Sequence, residues 1–87
     1  MELKNTILLM NSEDFKDRLL AEYNQTKIRY DKLRKMLVKY EAGTLDFIPK
    51  CSLDLLKRQL SAMDTYLYIL EIRADVEGIE LEKDKEN

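Results

Sequence analysis

The sequence predicts an all-α fold: an antiparallel two-helix hairpin with a short N-terminal docking segment, assembled as a homo-oligomer. Three observations lead there. Leu53, Leu56, Leu60, Met63, Leu67, Leu70 and Ala74 recur at alternating spacings of 3 and 4, which marks a helix with a coiled-coil seam. Leu19, Tyr23, Thr26, Tyr30, Leu33, Leu37 and Tyr40 carry the same rhythm on an earlier stretch. Between the two, Gly43 and Pro49 interrupt a link of about ten residues, which makes the helices antiparallel neighbours.

The elements follow in chain order. Leu3, Ile7, Leu8, Leu9 and Met10 make the first ten residues too apolar for a solvated tail, yet the segment is too short to be a self-sufficient helix. It is expected to dock on the body or on another subunit. Asn11 or Ser12 offers an N-cap, with Glu13 and Asp14 favourably placed at the positive end of a helix running over about residues 12–42. Leu20, Ile28, Met36 and Val38 spill onto its other faces. Gly43 suits the left-handed conformation that ends a helix, and Leu45, Phe47 and Ile48 are expected to fold back as a plug over the helix ends. Ser52, with Asp54 in the first turn, starts the second helix, expected over about residues 52–77. Gly78 ends it, Ile79 and Leu81 add a last apolar contact, and residues 82–87 form a charged tail with nothing to bury. Residues 1–81 thus make one domain.

A core this small typically supplies about 3 to 5 kcal/mol unless something reinforces it. Cys51 is the only cysteine and there is no histidine, so neither an intrachain disulfide nor a structural zinc site is expected. Oligomerisation remains. A second apolar row on the later helix, Leu55, Ala62, Tyr66, Ile69 and Val76, widens its apolar surface beyond what one partner helix covers and forms the expected oligomer interface. The start MELKN has no signal-peptide pattern, and the apolar run Ile7–Met10 is far shorter than the roughly 20 residues of a membrane span, so a cytoplasmic protein without membrane contact is expected.

Charge is distributed unevenly although the net value is only -2. Lys27, Arg29, Lys32, Arg34, Lys35 and Lys39 stand against the single acid Asp31, and antiparallel pairing adds Lys50, Lys57 and Arg58 beside them. The loop half is therefore basic. Glu13, Asp14, Asp17, Glu71, Asp75, Glu77 and Glu80 make the open end acidic. This asymmetry reads either as an anion site with head-to-tail subunit attraction, or as dipole-favouring, solubilising charge on helix faces. Duplex nucleic acid is disfavoured by a pI near 5.2 and the absence of a nucleic-acid motif.

No enzyme is expected. Histidine is missing, Cys51 has no base to activate it, and carboxylate pairs such as Glu71 and Asp75 are ordinary i,i+4 neighbours on a charged helix. Neither a cofactor nor a metal is expected. The tyrosines Tyr23, Tyr30 and Tyr40 in the first seam, with Tyr66 and Tyr68 on the second helix, read as core residues with hydroxyls at the rim, or as base-stacking platforms.

The segments RLLAEYNQTKIRYDKL and CSLDLLKRQLSAMDTYLYILEIRADVEGIEL resemble the crAss-like phage related family of small helical proteins, through Arg18, Leu19, Glu22, Tyr23, Leu56, Gln59, Leu60, Met63, Tyr66, Leu70 and Arg73. That resemblance implies a phage or prophage origin and no particular activity. Asn24 with Lys27, and Gln59 with Met63, are similar to steps in the helical-hairpin sponges with which phages sequester the cyclic oligonucleotide signals of bacterial immunity (the anti-CBASS type). The chain departs from that pattern in lacking a Gly between Gln59 and Met63 and in having Leu67 where a base is expected, which leaves Arg73 for a phosphate on the second helix. The resemblance implies sequestration of a cyclic di- or trinucleotide without turnover, in an infected bacterial host. Lys27 and Arg34, seven residues and about 10 Å apart on one face, would take phosphates of a ligand held at subunit junctions. Tyr23 or Tyr30 would stack on a base and Asn24 would hydrogen-bond an edge. The alternative is a helical module that inhibits or scaffolds a host or phage protein.

Overall fold

A computed structural model describes Leu3, residues 6–10 and residues 14–81. The expected cap residues Asn11 and Ser12 and the charged stretch 82–87 lie outside them. Helix α1 covers Thr6–Met10, α2 Phe15–Ala42 and α3 Leu53–Glu77. The 28 residues of α2 alone account for about 42 Å at 1.5 Å each, against a longest dimension of 43 Å, so the long helices run side by side along the whole molecule. Helix α3 packs on one side of α2 and α1 on another. The two-helix hairpin expected from the heptads is the observed architecture.

Local chemistry explains where each helix begins and ends. Asp14 caps α2 from extended backbone, its carboxylate accepting from the Lys16 N–H at 2.9 Å, which puts the start at Phe15, later than the sequence suggested. Ser52 caps α3 by accepting from the Leu55 N–H at 3.1 Å. Both helices end in a Schellman turn. At Gly43 (φ 78°), its N–H donates to the Tyr40 carbonyl and the Thr44 N–H to that of Lys39. Gly78 (φ 71°) repeats the pair with Asp75, and the Ile79 N–H donates to Ala74. The second turn directs Ile79 and Leu81 back onto the core.

The core is closed at the open end. Leu19 and Tyr23 of α2 pack with Leu67, Leu70 and Ala74 of α3, and Tyr30 lies against this cluster. Every residue of the α3 seam is buried or half-buried, whereas Leu55, Ala62, Tyr66, Ile69 and Val76 are all exposed on the single chain. The loop expectation needs correction. Leu45 is half-buried, but Phe47 and Ile48 are 53% and 88% exposed, so no three-residue plug forms. Ile48 precedes Pro49, which disfavours helical backbone there, and its side chain stays in solvent.

Helix α1 docks on the body. The Thr6 hydroxyl, fully buried, donates to the Leu3 carbonyl and accepts from the Gln25 side-chain amide, both at 2.7 Å. Ala21 is also fully buried although it lies about half a turn from Leu19, on the side of α2 turned away from α3. A small residue there lets α1 approach closely.

Candidate functional site

Two open clefts of about 420 Å³ each flank α2, and they differ in charge. The first lies between the long helices beside Lys27, Tyr30 and Tyr68, with Asp64 and Glu71 on its α3 wall. Lys27 does not face it as a free cation. Its ammonium is 2.9 and 3.1 Å from the two carboxylate oxygens of Asp31 and 5.9 Å from the centre of the Tyr30 ring. The acids around this cleft outnumber the bases, so its potential does not favour an anion.

The second cleft is at the loop end. Lys32, Lys35 and Lys39 sit at i, i+3 and i+7 on α2, on the side away from the Leu33 and Leu37 seam, with Met36 among them. The chain leaving Gly43 folds beside them and brings Thr44, Leu45, Asp46 and Phe47 to form the opposite wall. Among the described residues, none of the three ammonium groups is paired with a carboxylate, although Asp46 lies at one edge. An apolar floor with several unpaired cations and an exposed aromatic ring suits a small anionic ligand bearing a flat group.

The residues singled out by sequence are dispersed. Tyr23 is only 8% exposed, and its hydroxyl donates to Glu71 Oε2 at 3.1 Å, so its ring is part of the core. Asn24 is buried and donates to the Leu20 carbonyl at 2.8 Å. Arg34 is exposed and lines neither cleft. Arg73 lies at the open end, its guanidinium carbon 5.9 Å from the centre of the Phe15 ring. Only Lys27 and Tyr30 come together. The basic run was legible, and the lysine spacing places all three on one face. The backbone path that sets Phe47 beside them was not.

Among the described residues, no three His, Cys, Asp or Glu side chains gather closely enough to hold a metal, and no helix is long and apolar enough to cross a membrane. No solved structure matches the chain. The sequence model of one family, Sequestin, matches residues 13–76, a stretch that takes in α2 and all but the last residue of α3. Covering both long helices and the loop that joins them, this match shows that the chain belongs to the Sequestin family.

Proposed function

We propose that this protein is a non-enzymatic binder that sequesters a small phosphate-bearing signal, such as a cyclic di- or trinucleotide of bacterial immunity, in the loop-end cleft. The observation that carries the reading is the trio Lys32, Lys35 and Lys39 facing the exposed Phe47 ring across a space of about 420 Å³. That volume lies within the roughly 300–1,000 Å³ of small-molecule sites, and lysine is a good point-charge partner for phosphate. The family name supports sequestration as the class of function. A phage origin, implied by the resemblance of both helices to phage proteins, is part of the same proposal.

The phosphate contact is accordingly proposed at Lys35 and its neighbours rather than at Lys27, whose charge Asp31 already offsets. Tyr30 and Arg34 remain within one or two turns of the cleft and would touch only a ligand larger than one nucleotide unit. The alternative, a module that inhibits or scaffolds another protein, draws on the uncovered row of α3.

Calorimetric titration with a panel of cyclic di- and trinucleotides tests the proposal. At least one member is expected to bind below about 10 μM, roughly -7 kcal/mol, more weakly as salt rises, and to be recovered intact after the protein is denatured. Failure of the whole panel to bind at that level overturns the nucleotide reading. A stoichiometric host protein captured by the same chain would then favour the protein-binding alternative.

A further inference from the structure

The loop-end cleft holds a group that phosphate binding does not call for. Asp46 stands in its wall opposite Lys32, Lys35 and Lys39, and a carboxylate there works against an anion. The fold does not account for it. Asp46 lies at the bend with Phe47, where an aspartate commonly hydrogen-bonds its own backbone, yet among the described residues its carboxylate accepts no hydrogen bond and forms no ion pair. The side chain is also exposed, so packing does not hold it in place. Both carboxylate oxygens are open to a ligand in the cleft. Phe47, the next residue, lines the same cleft with a ring that is 53% exposed. Consecutive Cα atoms are about 3.8 Å apart, so a base stacked on Phe47 has its edge within reach of Asp46.

We infer that Asp46 is the specificity-determining residue of this cleft and selects a guanine base, with Phe47 as the stacking platform and the lysines on the phosphates; this rests on the nucleotide reading proposed above. An ionised carboxylate has acceptors and no donor. Guanine sets two donors side by side on its Watson–Crick edge, N1–H and the N2 amino group, which meet the two carboxylate oxygens in the parallel manner of an arginine fork. The other bases lack that pair. Adenine and cytosine each place an amino donor beside a ring-nitrogen acceptor, whose lone pair faces the second carboxylate oxygen. Uracil offers a single N3–H between two carbonyl oxygens. A ribose hydroxyl also donates to a carboxylate, but it does so whatever the base. For a ligand without guanine, Asp46 therefore remains a charge near phosphates with too few donors to offset it, and it acts against that ligand.

The test adds cyclic di-GMP, cyclic di-IMP and cyclic di-AMP to the titration panel, each run against the unmodified full chain and Asp46→Asn. Hypoxanthine, the base of the second probe, keeps N1–H and lacks the amino group. The unmodified protein is expected to bind the guanine probe tightest and the adenine probe weakest, by about five-fold or more, the lower end of what a bidentate base contact gives because Asp46 is exposed. The hypoxanthine probe should fall between them. Asp46→Asn should keep the helical circular dichroism. Its amide pairs a donor with an acceptor, the complement of adenine, so the ratio of guanine to adenine affinity should fall to about one or below. Removing a negative charge strengthens all three probes together, so a purely electrostatic role for Asp46 leaves that ratio unmoved. A ratio unchanged by Asp46→Asn, or guanine-free members of the panel binding the unmodified protein as tightly as guanine-bearing ones, overturns the inference and leaves the nucleotide reading standing. Failure of the whole panel to bind below about 10 μM overturns both.

Discussion

Leu70→Ala tests whether the hairpin is held by its open-end cluster. Leu70 is fully buried among Leu19, Tyr23, Leu67 and Ala74, and both long helices contribute to its surroundings. Replacing such a leucine by alanine removes its transfer free energy and leaves a cavity, together about 2.7 to 5.0 kcal/mol. A core of this size supplies about 3 to 5 kcal/mol, so the substitution removes most of the margin of the isolated chain. In urea, with a slope of about 1 to 3 kcal/mol per molar, the midpoint should fall by about 2 M and the native baseline should shorten or vanish. Ile48→Ala is the matched control. That side chain is 88% exposed, and its loss should stay within about 0.5 kcal/mol. The assay is urea unfolding followed by helical circular dichroism, with protein concentration held constant because self-association would add to apparent stability. A Leu70→Ala midpoint within about 0.3 M of the unmodified protein would refute the placement of the core, since the slope makes that shift less than about 1 kcal/mol. An Ile48→Ala effect of equal size would restore the loop plug.

Tyr23→Phe keeps the core ring and removes the hydroxyl that donates to Glu71, and a cost of about 1 kcal/mol in the same assay is expected because the acceptor is at the surface. Gly43→Ala and Gly78→Ala meet no neighbouring atom within 4 Å, so each should cost about 1 kcal/mol through its positive φ alone, and a neutral result would mean that the helix ends rearrange freely. Lys57→Ala breaks the 2.6 Å bridge to Glu41 between the helices, yet both partners are more than half exposed and the effect on urea stability should be within about 0.5 kcal/mol.

The two helices were legible because a seam at spacings of 3 and 4 leaves little choice of face: burial follows it from Leu53 to Ala74 without exception, and from Leu19 to Leu37 on α2, where the expected last member, Tyr40, is exposed. Gly43 and Gly78 announced the helix ends for a reason that holds locally, the low cost of positive φ without a Cβ. The start of α2 was less legible, since Asn11, Ser12 and Asp14 are all competent caps and only the backbone path selects Asp14. Site residues were harder still. Tyr23 and Asn24 are chemically suited to a nucleotide, but the seam takes the first into the core, and the second turns back to the Leu20 carbonyl. The loop-end cleft depends on residues 44–47 folding alongside Lys32, Lys35 and Lys39, a long-range placement that helical periodicity does not encode.

The central proposal, a phosphate-bearing ligand held by the loop-end lysines, is tested most directly by titrating the tightest-binding member of the nucleotide panel into three proteins side by side: unmodified, Lys35→Ala and Lys27→Ala. Loss of one charge-assisted contact is worth about 1.5 to 3 kcal/mol, so Lys35→Ala should weaken binding roughly ten-fold or more. Lys27→Ala should stay within about two-fold, because its ammonium is engaged by Asp31 in a cleft walled by Asp64 and Glu71. The opposite order, with Lys27→Ala damaging and Lys35→Ala neutral, would contradict the loop-end site and move the ligand to the interhelical cleft.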